Sequence, residues 1–298
     1  MTKSVILLTG FLGAGKTTLL NHLLASPEWR QRRPALIINE FGDLGVDGRL
    51  VCSGKFPKYE INSGSVFCAC TQSQVLAALS LIGALRDVDA VLIEATGVAE
   101  TGDIEAYFEQ PLLFGQFAIR ANVCLVDAVT FTKVVGYVQA AQSQVHAADG
   151  LVINKADLAA ERELDRLSAL LSEMNPEAPQ CVVSHGALPR DYLGRLTHRR
   201  RDRSITAPPG DIVAATVCCN TPLNRERFER AVLAFGPRLL RLKGNIDFGD
   251  GPRLVEWAGH TINEGPACPG FSGGTTFSVI AWKSSREEIQ QSFTPPNH

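Results

Sequence analysis

Apolar residues in the first two-thirds of the chain come in short, nearly unbroken runs separated by longer stretches with helical spacing. The runs are SVILLTG (4–10), PALIINE (34–40), DAVLIEATG (89–97), ANVCLVDA (121–128), DGLVINK (149–155) and QCVVSHG (180–186). Val, Ile and Leu without polar alternation is the pattern of strands covered on both faces of a parallel sheet. Helices are expected over Lys16 to Ala25, Gln72 to Leu85, Phe131 to His146 and Ala160 to Met174. Alternating strands and helices imply an open α/β sheet with helices on both sides.

The pattern changes near residue 190. The stretch GRLTHRRRDRSITAPPGD (194–211) is basic, then Pro- and Gly-bearing, without a sustained apolar period, and reads as a linker. Its Arg199, Arg200, Arg201 and Arg203 form a solvated run or a docking patch. Beyond it, strands are expected over 211–219, 239–248, 253–259 and 275–282. A helix is expected to open at Thr221-Pro222 and run to Phe235. The predicted organisation is an α/β domain over 1–192, a linker over 193–210, a small α+β domain over 211–284 and a frayed, disordered tail over 285–298.

Composition narrows the class. Of 298 residues, 45% are hydrophobic and 20% charged, enough apolar material for a substantial core. The formal net charge of -2 points to neither nucleic acid nor an anionic membrane as partner. The N-terminal apolar run Val5 to Leu8 is too short for a membrane span or a signal-peptide core, and no later run reaches about 18 residues. A cytoplasmic location is expected. In that reducing compartment the eight cysteines show no disulfide framework. Cys124 and Cys181, inside apolar runs, read as small buried hydrophobes.

Candidate chemistry begins at Gly10-Phe11-Leu12-Gly13-Ala14-Gly15-Lys16-Thr17, which fits the G-x-x-x-x-G-K-[ST] phosphate loop between a strand and a helix. Its backbone N–H groups, through Gly13, Ala14, Gly15, Lys16, Thr17 and Thr18, can wrap phosphate at a helix N-terminus. Lys16 is expected to reach the β- and γ-phosphates and Thr17 to ligate Mg²⁺. Asn154-Lys155-Ala156-Asp157 follows a buried run at a strand's C-terminal end. A carboxylate at Asp157 can accept from guanine's ring N–H and exocyclic amine, donors adenine lacks there, so GTP and GDP are the expected nucleotides. Asn154 is expected to brace the loop and Lys155 to lie along the base.

Two segments are candidates to sense the γ-phosphate. Glu94 ends a buried strand, where an unpaired charge is costly, and is assigned either to Mg²⁺ through water or to the attacking water. Gly97 offers its amide to the γ-phosphate. In IINEFGDLGVDG, Asn39, Glu40 and Asp47 lie among glycines, and Glu40 joins Lys16 and Glu94 as a candidate catalytic group. Asp43 and Asp47 equally suit simple turn chemistry.

Together these motifs resemble the CobW family of metal-associated P-loop GTPases, relatives of the urease and hydrogenase nickel-insertion GTPases. The resemblance is carried by GFLGAGKTTLLNHLL, NEFGDLGVDG, IEATGVAE, VDA (126–128), HAADGLVINKADL, MNPEA (174–178) and LLRLKGNI, in the family's order. It implies a P-loop NTPase fold of the SIMIBI type followed by a small α+β domain. It also implies GTP hydrolysis coupled to handling a transition metal such as Zn²⁺ or Co²⁺, or a metal cofactor, for a client enzyme, often with nucleotide-dependent homodimerisation. The family usually carries Cys-x-Cys-Cys, whereas this chain has Cys68-Ala69-Cys70-Thr71. Two thiolates can bind a soft or borderline ion, but a closed zinc site usually needs four protein ligands. Cys68 and Cys70 are therefore a candidate transition-metal pair or two ordinary cysteines. Its six His are scattered, so a high-capacity metal store is not expected. Three functions follow: a metallochaperone GTPase, a GTPase activator of a metallo- or corrinoid enzyme that holds no transition metal, and a P-loop small-molecule kinase. The last is disfavoured by Asn154 to Asp157.

Overall fold

The computed structural model describes residues 2–41, 56–63, 69–97, 101–135, 138–199, 212–258, 261–267, 271 and 274–294. These fall into two compact units, each built on its own sheet. The first sheet has seven strands: β1 (Lys3–Gly10), β2 (Pro34–Phe41), β3 (Lys58–Ser63), β4 (Ala90–Glu94), β5 (Phe117–Asp127), β6 (Gly150–Asn154) and β7 (Gln180–Val182). Their spatial order is β3-β2-β4-β1-β5-β6-β7. The pairs β2–β4, β4–β1, β1–β5, β5–β6 and β6–β7 are parallel. Helices α1 (Lys16–Ala25), α2 (Pro27–Gln31), α3 (Ala69–Ala84), α4 (Thr101–Tyr107), α5 (Phe131–Val134), α6 (Gln139–Ala147), α7 (Glu161–Met174) and α8 (Tyr192–Arg195) connect and follow the strands. Every residue of β4 and β6 is buried, as their unbroken apolar runs require. From central β1 the sheet grows one way through β4 and β2 and later the other way through β5. That reversal opens a crevice at the carboxyl ends of the strands, where ligands of such sheets bind.

Four differences from the pattern-based expectation have physical reasons. Strand β3, KYEINS, lacks an apolar run because it lies at the sheet edge and buries Ile61 at 2% exposure. The helix expected from Phe131 to His146 is two helices, α5 and α6. Val138 is extended, and the stretch VVGYV (134–138) is poor in helix formers. Helix α3 starts at Ala69, before the expected Gln72. The start of the expected linker is part of the first unit. There α8 packs, with Leu196 at 1% exposure and the Tyr192 hydroxyl donating to the carbonyls of Leu151 (2.9 Å) and Pro179 (2.8 Å). Asp149 then ties down the chain after Leu196. Its Oδ2 lies 2.8 Å from His198 Nδ1, and its Oδ1 accepts from Arg199 N at 2.9 Å.

The second unit contains β8 (Ile212–Cys219), α9 (Arg225–Phe235), β9 (Leu239–Asp247), β10 (Pro252–Ala258), β11 (Thr261–Pro266), β12 (Thr275–Trp282) and α10 (Arg286–Phe293). Its strands run β11-β10-β9-β12-β8, and every pairing is antiparallel. Val217, Leu242, Ile246, Val255, Phe277 and Val279 of the sheet pack with Phe228 and Phe235 of α9 and with Ile289 and Phe293 of α10. Helix α9 is capped by the Asn224 side chain, which accepts from Arg227 N at 2.9 Å, and not by Thr221 as the Thr-Pro pair suggested. Of the tail expected to be disordered, 285–298, the stretch Arg286–Phe293 forms α10. Ser285 caps it by accepting from Glu288 N, and Ile289 and Phe293, one turn apart, bury themselves in the core. Among the described residues no helix is long and apolar enough to cross a membrane.

Candidate nucleotide-binding site

The phosphate loop leaves β1 at Gly10 and enters α1 at Lys16. Gly15 caps α1 in the left-handed region, with φ of 98°, and a Cβ there would lie 2.4 Å from Asn154 Nδ2. Only glycine meets both conditions. Ala14 is buried, whereas Gly13 and Thr18 are exposed. Lys16 is 8% exposed, and its Nζ donates to the carbonyls of Gly10 (2.7 Å) and Phe11 (3.2 Å), which draws its charge over the loop.

Register in the sheet carries Glu94 to the same place. It ends β4 opposite Leu8 of β1, is 5% exposed, and accepts from the Thr17 hydroxyl at 2.7 Å. A buried carboxylate beside a hydroxyl, at the mouth of a phosphate-binding loop, is a set of hard oxygen donors suited to Mg²⁺. Three residues on, Gly97 is buried against the loop: a Cβ on it would lie 2.6 Å from Leu12 N.

Asn154, at the end of β6, is 2% exposed and joins two loops. Its Nδ2 donates to Ala14 O at 2.9 Å, and its Oδ1 accepts from Gly186 N at 2.9 Å. The next residue, Lys155, is left-handed with φ of 63°. Its Nζ pairs with Asp127 Oδ2 at 2.7 Å, while Asp127 Oδ1 accepts from Val129 N and Thr130 N. These contacts fix the Lys155 stem and leave Asp157 beyond it 37% exposed. The Asp157 N–H donates to Ser184 Oγ at 3.1 Å, and His185 Nε2 lies 3.8 Å from Asp157 Oδ2. Asp127, Ser184 and His185 were not singled out as site residues in the sequence. The VDA segment and the run ending in Ser184-His185-Gly186 were visible, but only the tertiary structure brings Asp127 against Lys155 and Ser184 and His185 against Asp157.

Other candidates are not brought together by the described residues. Cys68 lies outside them, as do Asp43, Asp47 and Cys52. Glu40 and Cys70 have only their backbone described, in β2 and α3. Among the described residues no group of three His, Cys, Asp or Glu could hold a metal ion. Burial pushes the Cys124 thiol up to about 12 and the Cys181 thiol up to about 11, so both stay protonated near neutrality.

The family model described as "CobW/HypB/UreG, nucleotide-binding domain" matches residues 4–182. The chain belongs to the CobW/HypB/UreG family. Among relatives of this CobW/HypB/UreG chain, the zinc chaperone YjiA of Escherichia coli is 30% identical over 275 residues, covering 86% of this chain and 85% of that protein. The zinc chaperone CobW of Pseudomonas aeruginosa is 31% identical over 221 residues, covering 63% and 58%. The crystal structure of the Zn(II)-bound YjiA GTPase from E. coli aligns over 98% of both chains at 26% identity, with a TM-score of 0.48. Membership in the CobW/HypB/UreG family accounts for the P-loop fold of the first unit.

Proposed function

We propose that this chain is a Mg²⁺-dependent GTPase that couples GTP binding and hydrolysis to delivery of a transition metal or metal cofactor to a client enzyme. The observation that carries the nucleotide part is Asn154, whose one side chain ties the phosphate loop at Ala14 to the Gly186 loop beside Asp157. Phosphate-wrapping amides and a base-reading carboxylate are thereby held on one rigid frame.

The backbone N–H groups of Gly13 to Thr18 and the Lys16 ammonium stabilise negative charge on the phosphoryl group being transferred. Thr17 and Glu94, the latter through water, would hold Mg²⁺, which when bound draws charge from the phosphate oxygens. Glu94, with Glu40 as its candidate partner, orders the attacking water. Asp157 selects guanine, Lys155 covers the base with its stem, and Gly97 donates its N–H to the γ-phosphate. With no arginine assigned to the transferring phosphoryl group, turnover by the isolated protein is expected to be slow, and a client or a second copy of the chain to accelerate it.

Support for metal delivery comes from the relatives named zinc chaperones and from Cys68-Ala69-Cys70, a thiolate pair suited to Zn²⁺ or Co²⁺. One observation favours a second reading, an activator that holds no transition metal: this chain has two cysteines where the family pattern has three. Calorimetry with Mg²⁺ tests the nucleotide part. GTP should bind at least ~100-fold more tightly than ATP, and equal affinities would sink the assignment of Asp157. Zinc titration of the apo, GDP-bound and GTP-analogue-bound protein separates the two readings. Affinities that do not change with nucleotide or with Cys70→Ala leave only the second.

A further inference from the structure

Helix α6 carries a glutamine, Gln144, at 0% exposure among buried Ala140, Ala141, Val145 and Ala147. A carboxamide withdrawn from water is costly unless bonded, and methionine or leucine would fill the same space without that cost. The Gln144 amide makes a specific contact: its Nε2 donates to the carbonyl of Gly97 at 3.3 Å. The mount is rigid. Asn175 Nδ2 donates to the carbonyls of Val145 (2.7 Å) and Ala148 (3.0 Å), and Asn122 Nδ2 donates to that of Ala147 (2.9 Å). The end of α6 beyond Gln144 is therefore clamped from two directions. Gly97 is closed on another side by the phosphate loop, because a Cβ on it would meet Leu12 Cδ2 at 2.5 Å.

We propose that Gln144 is a positioning residue for γ-phosphate recognition, anchoring Gly97 by its carbonyl against the phosphate loop so that the residue's N–H stays within reach of the end of the triphosphate. The inference rests on the GTPase reading above. The Gly97 N–H lies in the peptide plane before its Cα and the carbonyl in the plane after it. A bond to the carbonyl and packing on Leu12 therefore act by fixing where Gly97 sits, which a glycine with free torsions would not hold by itself. Gln144 supplies the first and Leu12 the second. A donor aimed in advance at a phosphate oxygen costs no reordering when the ligand arrives. Only a nucleotide with a γ-phosphate can use it, so Gln144 acts on GTP and leaves GDP alone.

The test is equilibrium binding of GDP and of a non-hydrolysable GTP analogue, each with Mg²⁺, to the wild-type full chain and to Gln144→Met. A second variant, Gln144→Asn, keeps the amide but is too short to reach, and serves if the methionine does not fold. The expected result is GDP affinity within about twofold of wild type and GTP-analogue affinity lower by ~10-fold, the scale of one buried hydrogen bond. Single-turnover hydrolysis should slow in step with the lost analogue affinity. A structural role alone would weaken both nucleotides together. Equal losses for the two ligands, or no loss in either variant, overturn the proposal. A wild-type protein that binds neither nucleotide refutes instead the GTPase reading on which it rests.

Discussion

The two sheets of this protein bury their residues by different rules. In the parallel sheet β4 and β6 are buried along their whole length, yet Glu94 and Asn154 at their carboxyl ends are polar. Among the described residues most buried polar side chains, Lys16, Glu94, Asn122, Asp127, Gln144 and Asn154 among them, belong to this unit, whereas the other buries Lys243, Asn245 and Thr275. In the antiparallel sheet, Phe277 and Val279 alternate with half-buried Thr276 and Ser278, and the core is closed by phenylalanines from two helices. Phe277 meets Phe228 and Phe293 edge-on at 5.9 and 5.6 Å, and Phe293 stacks on Phe235 at 5.6 Å. Some of the first unit's buried polar groups bond across the loops of the proposed nucleotide site, Lys16 to Gly10 and Phe11, Glu94 to Thr17, and Asn154 to Ala14 and Gly186. The second buries fewer polar side chains among its described residues and gives more of its interior to packing.

Substitutions can break or sharpen that contrast. The largest expected effect is on the first unit's chemistry. Lys16→Ala should slow GTP hydrolysis by at least ~10²–10³-fold in a phosphate-release assay, and near-normal turnover would refute its role. The opposite separation is expected from Phe277→Ala. It should destabilise the second unit by ~3–5 kcal/mol in denaturant melts while leaving nucleotide affinity near wild type. Asn154→Ala tests whether buried polarity in the first unit serves the site. It leaves Ala14 O and Gly186 N without that partner, so nucleotide affinity should fall by ~10-fold and stability by ~1–3 kcal/mol.

The smallest effect is a pH dependence. Cys124 and Cys181 ionise at about 12 and about 11 when folded, against 9.0 for a free thiol. The unfolded chain therefore releases these protons first, and stability should be full below about 9 and decline as pH climbs towards 12. Cys124→Ala should flatten part of that decline in urea melts followed against pH, and an unchanged slope would count against the burial argument.

Much of the first sheet was legible because its interior strands are unbroken apolar runs, and α1 fell at Lys16–Ala25 as expected. Edge strands β3 and β11 were missed because an edge needs few apolar residues: KYEINS buries chiefly Ile61. Helix α10 was missed although its signals were present, a Ser285 cap with Glu288 three residues on and Ile289 and Phe293 one turn apart. At eight residues its stability comes from packing, and a local reading does not see the surface it packs on.

By itself the sequence determined the phosphate loop, the strand–helix alternation and the residues proposed to read guanine, because each depends on local spacing and backbone freedom. The tertiary structure decided which distant groups meet. It placed Glu94 against Thr17 across 77 positions, Asn154 against Ala14 across 140, and Gln144 against Gly97 across 47. Those meetings follow from strand order and from the need of buried polar groups for partners, and neither is written in any local stretch of the chain.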